Sequence, residues 1–183
     1  MKTREETLDL LKEYTKSESL LKHAFSVEFA MREAAKMLNQ DEELWGITGL
    51  IHDFDYEKYP DAPDHPLKGS EILKENNYPP EVIIAILGHA SYTNTPRDTL
   101  MAKWLFAVDE LCGFVTAVAL VRPDFLDSLE PRSVKKKMKD KAFAKSVSRE
   151  DIYKGAEELQ MNLDELISFV ISALRKNKEK IGF

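Results

Sequence analysis

The stretch GLIHDFDYE, residues 49–57, decides the fold because it ends a helical pattern with a histidine beside an aspartate. Apolar residues such as Trp45 and Ile51 precede this pair with the spacing of one buried helix face. His52 and Asp53 are therefore carried toward the core, although a buried carboxylate is costly unless it is paired or coordinated. The stretch raises the question of which partner offsets that cost.

Helical signals extend over nearly the whole chain. Capping patterns mark helix starts at Thr3, Ser148 and Asn162, and Thr95 followed by Pro96 predicts the start of a long helix. No segment shows the alternation of a strand, and no internal repeat occurs. The sequence therefore predicts an all-α fold of about nine helices in a single domain spanning residues 1–183. One helix follows Thr3, and the others cover approximately residues 19–38, 41–53, 65–75, 80–89, 95–120, 131–145, 149–160 and 163–179.

The composition is that of an ordinary globular protein, with 43% hydrophobic and 32% charged residues. The net charge of −6 argues against general nucleic-acid binding. The single cysteine, Cys112, excludes an internal disulfide and fits a reducing compartment. The most apolar stretch, residues 104–121, contains Asp109 and Glu110, which argues against a membrane span. We therefore expect a soluble cytoplasmic protein without a membrane partner.

Five polar residues are unexpected in helices of this kind. The four histidines are His23, His52, His65 and His89, and three of them lie at predicted helix ends, where several helices can converge. Asp109 lies in a helix that is apolar nearly all round, which is typical of a buried helix. One metal site would account for all of them.

Each residue taken alone also has an ordinary explanation. A histidine on an apolar face is more often a hydrogen-bonded core residue than a metal ligand. Asp109 could pair with Lys103 or Arg122 instead of binding a metal. The metal hypothesis therefore depends on the combination and on its order in the sequence.

That ordered combination resembles the HD superfamily of metal-dependent phosphohydrolases. The resemblance covers about residues 18–122, and residues 123–183 are expected to form a helical extension. The histidines between the HisAsp pair and the last aspartate resemble the dinuclear branch, which includes dinucleoside polyphosphate hydrolases. That branch also includes the HD-GYP phosphodiesterases, but the GYP signature is absent here. The residues that carry the resemblance are His23, His52, Asp53, His65, His89 and Asp109.

The resemblance implies a ligand set and an activity. One metal ion would be held by His23, His52, Asp53 and Asp109, and Asp53 would bridge to a second ion held by His65 and His89. Imidazole and carboxylate ligands together suit Fe, Mn, Co, Ni or Zn. The implied activity is hydrolysis of a small phosphorylated substrate, with a nucleotide as the expected example, by metal-activated hydroxide.

Further residues are candidates for catalysis and substrate binding. Besides Asp53, the carboxylates of Asp55 and Glu57 are candidates for proton transfer. The mononuclear nucleotidases of the family place a glutamate three residues after the motif aspartate, and here that position is Tyr56. The candidates for phosphate binding are Lys58, Lys68, Arg97 and Arg122.

Two other functions and one charged segment stay open at this point. Some HD-type proteins use a similar ligand set as diiron oxygenases, and a metal-stabilised regulatory module without turnover is a third hypothesis. Residues 131–145 carry seven basic residues and one acidic residue, a net charge of +6. Such a run is usually a solvated helix face, and the alternative is a rim that attracts an anionic substrate.

Overall fold

The apolar segment around Asp109 forms the central helix, α6 (Leu100–Leu120), and 14 of its 21 residues are buried. The computed structural model describes residues 2–183, and these form ten α-helices and one short 3₁₀ turn with no strand. The all-α prediction is therefore confirmed. The other helices are α1 (Arg4–Tyr14), α2 (Glu18–Met37), α3 (Glu42–Ile51), α4 (Asp64–Glu75), α5 (Pro80–His89), α7 (Pro131–Met138), α8 (Arg149–Glu158), α9 (Leu163–Lys176) and α10 (Lys178–Ile181), and the 3₁₀ turn is Ser91–Thr93.

The predicted caps at the helix starts are present. Thr3 forms the full capping box with Glu6 at the start of α1. The Ser148 side chain accepts a hydrogen bond from the backbone N–H of Asp151. Asn162 caps α9 through the N–H of Asp164. These side chains satisfy N–H groups that have no partner within their helices.

The long helix begins later than predicted, at Leu100 instead of Thr95. Thr99 is its N-cap and accepts a hydrogen bond from the N–H of Ala102. The preceding segment follows a different path because Arg97 donates hydrogen bonds to Glu158 and to the carbonyl of Gly88. These long-range contacts outweigh the local Thr-Pro helix signal.

The C-terminal extension is also divided differently from the prediction. Helix α7 ends at Met138, and residues 139–147 form a loop where the sequence predicted helix as far as 145. Asp140 accepts hydrogen bonds from the N–H groups of Ala142 and Phe143, and Arg149 donates to the carbonyls of Ala144 and Val147. The predicted last helix is broken at Asn177, which produces α10 as a tenth helix.

Helix packing brings five distant segments to one place. Helices α2 and α3 lie side by side, and α6 packs against α2, α5, α8 and α9. The ends of α3 and α5, the start of α4 and the middle of α6 therefore meet beside α2. No helix in residues 2–183 is both long enough and apolar enough to cross a membrane.

A buried ion-pair network joins α1, α2 and α3. Glu28 is fully buried and accepts hydrogen bonds from Arg4 at 2.6 Å and from Arg32 at 2.9 Å. Arg32 also donates to both carboxylate oxygens of Glu43. Every buried charge in this network therefore has a partner, as burial requires.

The contact between α6 and α8 depends on a glycine. A Cβ atom added at Gly155 would lie 2.6 Å from the Ala107 Cα.

We expect Gly155→Ala to lower the free energy of unfolding by about 1–3 kcal/mol, because the α6 backbone cannot move away from the added methyl group. Urea denaturation measures the change, and Glu157→Ala on the exposed side of α8 is the control. Stability equal to the wild type would contradict the close helix packing.

Candidate metal centre

The six predicted ligands converge in the folded chain. His23, His52, Asp53 and Asp109 offer ligand atoms that all lie within 4.8 Å of one another. Asp53, His65 and His89 form a second such group. Asp53 belongs to both, so the two groups form one continuous cluster.

Helix ends position most of these side chains. His52 follows α3 directly, and Asp53 follows it where the helix has ended, so both side chains can turn toward the same point. His89 is the last residue of α5, and His65 lies at the start of α4 with a non-helical backbone. His23 on α2 closes the cluster from the side, 3.0 Å from Asp109 Oδ1 on α6.

The proton positions on the histidines follow from their partners. His52 Nδ1 donates to the Gly49 carbonyl at 2.8 Å, and His89 Nδ1 donates to the Ile86 carbonyl. His65 Nδ1 donates to Asp55 Oδ1 at 2.8 Å. Because a neutral imidazole has one N–H, these bonds leave the Nε2 lone pairs facing the cluster.

When these histidines are neutral, their lone pairs face one another and a carboxylate. The Nε2 atoms of His23 and His52 are 3.3 Å apart, and those of His65 and His89 are also 3.3 Å apart. Asp53 Oδ1 is buried and has no hydrogen-bond partner in residues 2–183. It lies 3.2, 3.3 and 3.5 Å from Nε2 of His89, His65 and His52, respectively.

The donor set fits divalent transition metals. Neutral histidine nitrogens and aspartate oxygens repel each other unless a cation lies among them. Four imidazoles and two carboxylates without a thiolate suit Fe, Mn, Co, Ni or Zn, as the sequence predicted. His23, His52, Asp53 and Asp109 would hold one ion, and Asp53, His65 and His89 would hold the other.

The electrostatics of the cluster favour a bound cation. Burial lowers the pKa of His52, but the charges of Asp53 and Asp109 oppose it and raise that pKa to about 9. Burial also acts against charge on His65, yet the adjacent carboxylates of Asp53 and Asp55 raise its pKa to about 10. Burial raises the pKa of Asp53 and of Asp109, but His52 and neighbouring histidines hold both below their usual range. The ionised carboxylates therefore require positive charge, which metal ions supply when they displace these protons.

Asp55 positions His65 and does not face the open cleft. It is 1% exposed, and its second oxygen accepts a hydrogen bond from the Gly69 N–H at 2.8 Å. A Cβ atom at Gly69 would lie 2.6 Å from the Asp55 carboxyl carbon, so only glycine admits this contact. A carboxylate that orients a ligating histidine is a common feature of metal sites. We therefore assign Asp55 to positioning and not to the proton transfer expected from the sequence.

The structure places the other predicted site residues away from the cluster. Glu57 accepts hydrogen bonds from the N–H groups of residues 16 and 17 at the start of α2. Lys68 pairs with a neighbour on the exposed side of α4, and Arg122 pairs with Asp124 beyond α6. Arg97 lies behind the cleft, where Glu158 neutralises it. Lys58 lies over the ring of Tyr14. None of these five lines the cleft.

A cleft of about 450 Å³ opens onto the cluster. Several residues of its walls were not predicted from the sequence. Tyr56, Tyr92 and Phe106 supply aromatic rings, and Glu110 and Asp151 supply carboxylates. Glu110 had a possible signal, because it follows the buried Asp109 in an apolar helix. Burial, and then the negative charge of Asp109, raises the pKa of Glu110 to about 8. Asp151 had no such signal, since it comes from α8 in the extension.

The basic segment 131–145 lies outside this cleft. Lys135 pairs with Asp164 at 2.9 Å, and Lys137 lies over the ring of Phe143. The following residues Ser146 and Val147 do line the cleft. The residues that follow the segment therefore line the cleft, and none of its lysines does.

Weakening the hydrogen bond between Asp55 and His65 should lower the affinity for one metal ion and leave the affinity for the other unchanged. We expect Asp55→Asn to reduce affinity at the His65–His89 position by about 10- to 100-fold, because the histidine loses its carboxylate partner. Competition with a chelator during Zn²⁺ titration measures both affinities. Glu71→Gln, an exposed change on the same helix as Gly69, is the control. Equal loss at both positions, or no loss, would contradict the assignment.

The family model described as "HD domain" matches residues 20–117, slightly more than half of the chain. The match spans all six residues of the cluster. No solved structure gives a significant match to the chain. The chain therefore belongs to the HD-domain family, within the superfamily of metal-dependent phosphohydrolases.

Proposed function

We propose that this chain hydrolyses phosphate esters at a centre of two divalent metal ions. The observation that carries the proposal is the position of Asp53, whose Oδ1 lies within 3.5 Å of three imidazole nitrogens and which belongs to both ligand groups. A carboxylate shared in this way suits a bridge between two ions. Family membership supports the same reaction class.

The protein residues have separable roles in this proposal. A bound pair of divalent ions supplies Lewis-acid chemistry, lowering the pKa of a water and neutralising charge on phosphoryl oxygens. Asp53 holds the two positions together, and the histidines fix the ring orientations through their Nδ1 hydrogen bonds. The cleft admits a small substrate to this point. A small phosphorylated molecule is therefore the proposed partner.

Replacing the shared carboxylate tests the proposal. We expect Asp53→Asn to lower the turnover of p-nitrophenyl phosphate and bis(p-nitrophenyl) phosphate by roughly 100- to 1000-fold, because a charged ligand to both ions is lost. The assay uses protein loaded with Mn²⁺, and removal of the metal by a chelator should abolish turnover in the wild type. Asp61→Asn, an exposed carboxylate in the same loop, is the control.

Two results would contradict this function. Wild-type turnover in Asp53→Asn would show that the shared carboxylate is not needed. A product that forms only with consumption of O₂, without release of phosphate, would instead support the diiron oxygenase.

A further inference from the structure

We propose that the substrate carries a cationic group beside its phosphate, and that Asp151 binds this group. This inference rests on the proposed function and narrows its substrate class. It assigns a recognition role to α8, which lies outside the matched family region. The ligand would be a phosphate ester with an ammonium group a few atoms from phosphorus.

The carboxylate of Asp151 is free because another residue takes its usual hydrogen bond. In a capping box, the carboxylate at the third helical position accepts from the N–H of the N-cap residue. Here the Ser148 N–H donates instead to Glu110 Oε2 at 3.0 Å. Ser148 Oγ still accepts from the Asp151 N–H at 3.1 Å, so the backbone is fixed. Within residues 2–183, no hydrogen bond or ion pair engages the Asp151 carboxylate, and the residue lines the cleft.

The charge of the cleft points to a cationic substrate group. Two divalent ions among two aspartates and four neutral histidines leave a net charge of about +2, which matches the two negative charges of a phosphate monoester. Asp151 adds a carboxylate to the remaining wall, and neither lysine nor arginine lines the cleft. The nearby Arg97 stacks at 3.7 Å behind the Phe106 ring and is paired with Glu158. No basic side chain of the cleft therefore balances the Asp151 carboxylate.

Aromatic residues at the cleft suit the same ligand. Tyr92 is 49% exposed and Tyr56 is 41% exposed, and both line the cleft next to His65. The Tyr92 hydroxyl donates to the His65 carbonyl, and the Tyr56 ring packs edge-on to the His65 ring. Exposed aromatic rings attract ammonium groups through their π faces. A substrate with several further negative charges, such as a polyphosphate, would meet repulsion from the acidic wall.

Three non-hydrolysable phosphonates of similar size test the inference by binding. Calorimetry on Mn²⁺-loaded protein compares 3-aminopropylphosphonate, butylphosphonate and 3-phosphonopropionate, which differ in the charge of their far end. We expect the ammonium compound to bind about tenfold more tightly than the neutral one, because a charge-assisted hydrogen bond is added. The carboxylate compound should bind about tenfold more weakly than the neutral one.

Variants of α8 identify the residue responsible. Asp151→Asn should reduce the ammonium preference to within about twofold, and Asp151→Lys should reverse it in favour of 3-phosphonopropionate. Glu150→Gln removes a carboxylate from the same helix turn but outside the cleft, so it should keep the wild-type preference. This control separates recognition from a general effect on the start of α8.

Other outcomes would overturn the inference. These are equal binding of the three ligands, no measurable binding of any, or an equal loss for all three in Asp151→Asn. Loss of bound metal in Asp151→Asn would also overturn it, because the residue would then belong to the metal centre.

Hydrolysis of 2-aminoethyl phosphate and propyl phosphate distinguishes failure of the recognition site from failure of the proposed reaction. If neither ester is cleaved while the ammonium preference remains, the proposed reaction fails and the recognition site stands.

Discussion

The repulsion among histidine lone pairs and aspartate oxygens is the constraint on which the centre of this protein depends. Two helices present their last histidines in the same way, since His52 and His89 each donate Nδ1–H to the carbonyl three residues earlier. Carbonyl groups in the last turn of a helix have no partner within that helix, so they are available for this bond. The arrangement fixes the ring and turns the Nε2 lone pair inward. The ligand set therefore forms in part because α3 and α5 end at these histidines.

Two groups of buried charges differ in whether their members are paired within the described residues. The network of Arg4, Glu28 and Arg32 is fully paired and joins helices on its own. The metal cluster differs, because its buried Asp53 Oδ1 lacks a partner among the described residues. A cation that binds the folded chain and not the unfolded one also stabilises the fold. Metal binding and folding are thus expected to support each other.

Local patterns in the sequence predicted the helical fold, whereas the six-residue cluster was predicted from the resemblance of its ordered residues to the HD superfamily. Apolar periodicity marks buried helix faces, and a histidine that follows such a face is visible without knowledge of contacts. The proton-transfer and phosphate-binding candidates depended instead on partners far away in sequence. Arg97 pairs with Glu158, and Glu57 accepts from the N–H groups of Lys16 and Ser17, contacts that no local pattern predicts. No local pattern indicated a role for Asp151 in the cleft, because the contact between Ser148 and Glu110 that frees its carboxylate spans 38 residues.

Anomalous diffraction from crystals of the Mn²⁺-loaded protein tests the central claim most directly. We expect two peaks about 3.5–4 Å apart, as in two-metal sites generally. One should lie among His23, His52 and Asp109, the other beside His65 and His89, with Asp53 between them. A single peak, or peaks that leave Asp53 without a metal contact, would contradict the shared-carboxylate centre.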